Sequence, residues 1–185
     1  MHNFNFYNPT RIEFGIDKED TLADHIAKDG IHHVLICYGS QRIKNEGLFE
    51  KVTRRLVSQG ISWCEFGGII SNPVISSVRS AVEMARKEKV QAIISIGGGS
   101  VLDSAKAIAA GVDYPGDAWE LFTGDGELIS ALPIYAILTL AATGSEMNPY
   151  AVVVNEETKE KLSIGNDATR PRVTVLNPAL MTGVL

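Results

Sequence analysis

The run Gly97-Gly98-Gly99-Ser100 carries the first chemical signal, set between the apolar stretch Ala92-Ile93-Ile94-Ser95-Ile96 and an amphipathic segment that begins at Val101. Glycines in a strand-to-helix turn let backbone approach a ligand closely, and the N–H groups at a helix start favour an anion, so phosphate or pyrophosphate is the natural guest. The spacing matches neither G-x-G-x-x-G nor G-x-x-x-x-G-K-[ST], which removes the standard dinucleotide fingerprint and the P-loop. Two readings stay open on these residues alone. One is a phosphate cradle. The other is a tight packing turn in which Ser100 and Asp103 form a Ser-x-x-Asp capping arrangement with no ligand.

Other chemistries find little support. The four histidines, His2, His25, His32 and His33, all fall within the first 33 residues. Adjacent His32 and His33 point to opposite faces of a strand and cannot chelate one ion. No H-E-x-x-H, paired C-x-x-C or G-x-S-x-G occurs, which argues against a metal site or a serine triad built from this chain. Cys37 and Cys64 lie in apolar segments and read as core thiols of a reducing compartment. Trp63 and Trp119 are too few and too scattered for a stacking platform.

Composition agrees with an ordinary globular domain: 185 residues, 45% hydrophobic and 21% charged. Seventeen Lys+Arg against 22 Asp+Glu leave a net charge of −5, without the clustered cations a nucleic-acid partner needs. No apolar run approaches the roughly 20 residues that span a bilayer. The opening Met1-His2-Asn3-Phe4-Asn5 has neither the basic nor the apolar region of a signal peptide, so the expected location is cytoplasmic.

The elements that must hold the glycine turn are legible as alternation. Phe4-Asn5-Phe6-Tyr7 and Arg11-Ile12-Glu13-Phe14 read as two short strands of an N-terminal hairpin, and residues 17–28 as a helix with Asp17 near its N-cap. Strand, turn and helix then repeat three times. The strands are 33–38, 62–66 and 92–96; the helices carry Leu48, Val52 and Leu56, then Val74, Val78, Ala81, Val82 and Ala85, then residues 101–110. Asn72-Pro73 has the form of an N-cap followed by a first-turn proline. Further strands are expected at 134–140, 151–154, 161–164 and 173–176, with a solvated hairpin tip around residues 156–161. Strands that are apolar throughout and alternate with helices indicate an α/β fold, a parallel sheet covered on both faces. Asn177-Pro178 repeats the N-cap form with seven residues after it, so the chain reads as the first part of something longer.

Three segments together resemble a known family: Phe66-Gly67-Gly68 with Ser71-Asn72-Pro73; Gly97 to Lys106, GGGSVLDSAK; and Leu138 to Glu146, LTLAATGSE. In this order they resemble the iron-containing (group III) alcohol dehydrogenases, in particular the branch of butanol dehydrogenases and NADPH-dependent aldehyde reductases. The resemblance covers essentially the whole chain. It implies a Rossmann-like, dehydroquinate synthase-like N-terminal domain over residues 1–178 and the start of a helical metal-binding domain at 179–185. It also implies hydride transfer between a nicotinamide and a primary alcohol or aldehyde. By the same similarity Gly98, Gly99 and Ser100 bind the cofactor pyrophosphate, Asp103 lies near the nicotinamide, and Thr139, Thr143 and Asn148 line the cleft. Asn72 and Lys161 face the cofactor as well, Asn72 while capping its helix. A homodimer is implied too, paired through the N-terminal hairpin.

The ribose 2′ position is read by the segment Gly39-Ser40-Gln41-Arg42-Ile43-Lys44. An acidic residue there would bind the diol of NAD; none is present, and Arg42 or Lys44 can pair with a phosphate, which favours NADP over NAD. The family's iron or zinc is held by an aspartate and three histidines from the helical domain, and no histidine follows His33 here. The expectation is therefore a chain that binds a dinucleotide, binds no metal and is inactive by itself. The alternative is a non-catalytic nucleotide-binding or dimerising module.

Overall fold

The computed structural model describes residues 3–182. Its strands are β1 (Arg11–Phe14), β2 (His33–Tyr38), β3 (Ser62–Phe66), β4 (Ala92–Gly97), β5 (Ile134–Leu138), β6 (Ala151–Val154), β7 (Lys161–Ile164) and β8 (Val173–Leu176). Its helices are α1 (Leu22–Lys28), α2 (Arg42–Asn45), α3 (Leu48–Ser58), α4 (Ile75–Glu88), α5 (Gly99–Asp113) and α6 (Glu120–Thr123). Six strands form one wholly parallel sheet in the order β1-β8-β5-β4-β2-β3, while β6 and β7 make a separate antiparallel hairpin.

Every second residue of a strand points to the same face, and here both faces are covered. Val34, Ile36 and Tyr38 of β2, with Ile94 and Ile96 of β4 and Tyr135 and Ile137 of β5, pack against α1 and α3. Leu35 and Cys37, with Ile93, Ile134 and Ala136, pack against α4, α5 and α6. Each Val, Leu and Ile among them contributes about 1.5–3 kcal/mol when fully buried. Together they fix the register of the central strands and hence where each strand ends.

Strand order places the site. The chain runs from β2 outward to β3, then returns to the other side of β2 to form β4, and continues outward to β5 and β8. The connections leaving β2 and β4 therefore diverge, and a crevice opens between the carboxyl ends of these two strands.

The first expected strand does not form. Residues 4–7 have no strand partner, and Phe4, Phe6 and Tyr7 are each at least 80% exposed. Arg11–Phe14 pairs instead in parallel with β8, so the N-terminal hairpin is replaced by an edge strand. Alternation describes a strand's faces and does not supply its neighbour. The helix expected over 17–28 is broken in two: Asp17 sits in the left-handed region (φ 59°), a 3-10 turn covers Lys18–Thr21, and α1 begins at Leu22. Asn72 is not an N-cap. Its φ of 55° is left-handed, and α4 starts after the extended residue Val74. At Asn177 the expected cap is formed, with its side-chain oxygen accepting from the Ala179 N–H and Pro178 in the first turn.

Candidate functional site

A cavity of about 610 Å³ lies in this crevice. The β2 end contributes Gly39, Ser40 and Arg42; the glycine turn contributes Gly97 and Gly98; the segment after β5 contributes Thr139 and Leu140. Ala179, Leu180 and Thr182 close one side, and Glu19 and Lys51 stand at the same end. The volume lies within the range of small-molecule and cofactor sites.

The glycine turn is shaped by three tight approaches. A Cβ on Gly97 would stand 2.5 Å from Val101 Cγ2, and one on Gly99 would stand 2.6 Å from Thr143 Oγ1. On Gly98 the nearest atom would be Leu140 Cβ at 3.3 Å, facing the cavity wall. Gly98 is the N-cap of α5, in extended conformation, and its carbonyl accepts from the N–H groups of Val101 and Leu102. The N–H groups of a helix's first turn have no partner within the helix, so this end of α5 offers donors to an anion at the cavity. No side chain caps α5, so the Ser100–Asp103 capping arrangement is not formed. Asp103 is committed elsewhere: Oδ1 accepts from Ser145 Oγ at 2.7 Å and Oδ2 from the Val152 N–H at 3.1 Å.

Of the expected site residues, Gly39, Ser40, Arg42, Gly98 and Thr139 line the cavity. Gly99 reaches Thr143 as described, and Ser100 lies in the first turn of α5. Asn148 is drawn inward. Its Oδ1 accepts from the Tyr150 N–H at 2.9 Å, and its Nδ2 donates to the Gly144 carbonyl at 2.9 Å. Asn72 and Lys161 meet on the surface, with Lys161 Nζ donating to Asn72 Oδ1 at 3.1 Å.

The cations expected to read the ribose 2′ position are already paired. Arg42 Nε donates to Glu46 Oε1 at 2.6 Å, and Lys44 Nζ to Glu65 Oε1 at 2.7 Å while lying over the rings of Tyr38 and Phe49. Glu46 lines the cavity beside Arg42, so an acidic group faces it after all, two residues past the segment where one would be sought. The i, i+4 spacing from Arg42 was the available signal. Glu19 and Lys51 belong to no motif that marks them in the sequence. The buried Glu19 accepts from Lys51 Nζ at 2.8 Å and from Asn177 Nδ2 at 2.9 Å, which ties the start of the fold to the residues that close the cavity. Burial works against the Lys51 ammonium, but its hydrogen bonds to Asp17 and Glu19 prevail and hold its pKa above the ordinary value.

Among the described residues no three His, Cys, Asp or Glu side chains come together to hold a metal ion. The described residues therefore do not fit an iron site by themselves. Nor is any described helix long and apolar enough to cross a membrane.

A parallel sheet with a glycine turn, a helix start and a cavity at its switch point defines a Rossmann-like α/β domain. The sequence narrows that class: residues 9–178 match the family model for iron-containing alcohol dehydrogenase, and the chain belongs to that family. It is 42% identical over 178 residues to the NADH-dependent butanol dehydrogenase A of Clostridium acetobutylicum, covering 96% of this chain and 46% of the relative. Against the NADPH-dependent aldehyde reductase YqhD of Escherichia coli it is 40% identical over 181 residues, with 96% and 46% covered. The crystal structure of NADH-dependent butanol dehydrogenase A from Thermotoga maritima superposes with a TM-score of 0.96 at 45% identity, covering 100% of this chain and 46% of that one. The chain thus spans about half the length of the relatives it matches.

Proposed function

We propose that this chain is the nicotinamide-dinucleotide-binding half of an alcohol or aldehyde oxidoreductase. The observation that carries the reading is the cavity between the ends of β2 and β4, walled by Gly39 and Ser40 on one side and Gly97 and Gly98 on the other. The pyrophosphate lies on the N–H groups at the start of α5, where glycine leaves room and the helix end attracts negative charge. Thr139 borders the same cavity, and Thr143 stands against Gly99, so the two threonines flank the path from the pyrophosphate toward the nicotinamide. Lys161 and Asn72, paired with each other outside the residues that line the cavity, are proposed to reach the cofactor as well.

The substrate class is a primary alcohol or its aldehyde, by analogy with the butanol dehydrogenase and aldehyde reductase relatives. Polarising the alcohol oxygen for hydride loss calls for a Lewis acid or an equivalent group, and the described residues bring no metal-binding cluster together. This chain then binds and orients the dinucleotide, and it does not turn over alcohol by itself. The preference for NADP expected from the sequence requires Arg42 and Lys44 to be free cations. With both held by carboxylates and Glu46 on the cavity wall, the ribose diol of NAD is the better fit.

Calorimetric titration with NADH and NADPH tests the reading, alongside Gly98→Asp, which sets a carboxylate where the pyrophosphate lies. Binding that vanishes in the variant is the expected result; no binding of either cofactor overturns the reading. Alcohol oxidation by the chain alone, with iron or zinc supplied, overturns the claim of inactivity.

A second copy of the chain is the proposed partner. β1 is an edge strand, with Phe14 67% exposed and Ile16 63% exposed beside it. Such an edge offers unpaired backbone groups to another strand. Light scattering checks this: a monomer at every concentration removes it.

A further inference from the structure

Lys106 lies two turns into α5, with none of its surface exposed. A buried ammonium is costly unless its donors are satisfied, and this one is surrounded by oxygen. Nζ donates to the carbonyls of Ser145, Asn148 and Tyr150 at 2.7, 2.9 and 2.9 Å. The Ser145 hydroxyl and the Asn148 side-chain oxygen stand at 2.8 and 3.3 Å. All five oxygens come from one stretch, 145–150, which contains neither helix nor strand and so has no ladder to satisfy its carbonyls. The same stretch continues from Thr143, whose hydroxyl rests against the glycine turn.

We propose that Lys106 is a positioning residue of the dinucleotide site, a tethered cation around which residues 143–150 wrap so that Thr143 is held against the start of α5 and Asn148 against the cation itself. Its consequence for binding rests on the dinucleotide reading above; the oxygen nest itself does not. Five oxygens at these distances also suit a dehydrated monovalent ion, since carbonyls can replace the hydration shell of potassium. Truncating the side chain therefore leaves a cage that potassium or methylammonium can occupy. The charged groups facing Nζ are Asp103 on α5, Glu146 in the wrapped stretch and Arg170 beyond β7. Burial lowers the Lys106 pKa to about 8, with Asp103 and Glu146 opposing the fall and Arg170 adding to it.

The test uses the full chain with two variants. Lys106→Met keeps the stem and removes the charge; Lys106→Ala opens the cage. Hydrogen exchange at the 143–150 amides is expected to quicken about tenfold or more in both, with β2 and β4 unchanged, as follows from losing hydrogen bonds to a charged donor. The NADH dissociation constant is expected to rise by a similar factor, and in Lys106→Ala alone potassium or methylammonium restores both readouts. Unchanged exchange at 143–150 overturns the nest. Faster exchange with unaltered NADH affinity overturns the positioning role. A wild-type chain that binds neither NADH nor NADPH removes the dinucleotide reading and that role with it, while the exchange rates still decide the nest. Should both variants unfold, the unaltered chain decides: the 143–150 amides are expected to exchange slowly although the stretch has neither helix nor strand, and more slowly still with NADH bound; exchange at the rate of an unstructured chain, or no change with NADH, overturns the proposal.

Discussion

Lys161 donates its ammonium to the side-chain oxygen of Asn72 at 3.1 Å, joining β7 to the turn that precedes α4 across 89 positions of sequence. A parallel bridge between Val74 and Val154 runs alongside, with the Val154 N–H on the Pro73 carbonyl at 2.8 Å. The hairpin β6–β7 is thereby fastened over the mouth of α4. Both side chains of the Lys161–Asn72 pair remain exposed, so the contact is available to a ligand.

That exposure separates function from stability. An exposed polar contact is worth about 0–1 kcal/mol. Lys161→Met is expected to leave the melting temperature within a degree or two of wild type, roughly what so small a change allows, while weakening NADH several-fold. Thermal melts and calorimetric titration check the pair of outcomes.

The three glycines of the turn are expected to respond differently. Val101 is buried and β-branched, so the Cβ of Gly97→Ala has nothing pliable to push, and a loss of about 1–3 kcal/mol follows. Gly98→Ala meets only Leu140 at 3.3 Å and should fold nearly as well as wild type. Gly99→Ala displaces Thr143 and is expected to weaken the cofactor more than it weakens the fold. Denaturant titrations beside NADH titrations distinguish the three.

Cofactor choice should turn on the Arg42–Glu46 pair. Glu46→Gln removes the carboxylate that engages Arg42 and leaves the guanidinium free for a 2′-phosphate. The ratio of NADPH to NADH affinity is expected to rise several-fold. A ratio unchanged from wild type would place the reading of that phosphate elsewhere.

Glu13 ties the edge strand to the first helix, accepting from Arg11 Nε at 2.8 Å and facing His25 Nε2 at 2.9 Å. The Arg11 hydrogen bond, against the effect of burial and helped by His25, holds its pKa below the ordinary 4.5. A lowered carboxyl pKa contributes stability that is complete above the unfolded value and fades as pH falls through the folded one. Glu13→Gln is therefore expected to lower the melting temperature at neutral pH, with the gap to wild type closing below about 4.5. A gap that persists in acid counts against the ion cluster.

The central sheet was legible because strands buried on both faces read as unbroken apolar runs, as at His33–Tyr38 and Ile134–Leu138. The glycine turn was legible because few other contexts ask for three glycines between a strand and a helix. What stayed hidden depends on partners distant in sequence. Nothing near residues 4–7 says whether a neighbour exists, and nothing near Arg42 or Lys44 says that Glu46 and Glu65 will claim them. Lys106 left one trace. It stands among Leu102, Ala105, Ala107, Ile108, Ala109 and Ala110, a run too apolar to lie on a solvated helix face, so its ammonium had no route to water.

The pairing of β1 with β8 bears on how the molecule is made. Arg11 lies opposite Val173, a separation of 173 − 11 = 162 residues, so the first strand to leave the ribosome waits for the last strand of the sheet. Pairings this remote in sequence form slowly, and until then Phe14 and Ile16 belong to a loose tail that can adhere to other nascent chains. Seating of the N-terminal strand thus serves as a completion mark: a chain broken off before Val173 has no place to put it, and a freely cleavable N-terminus reports that the sheet was never closed.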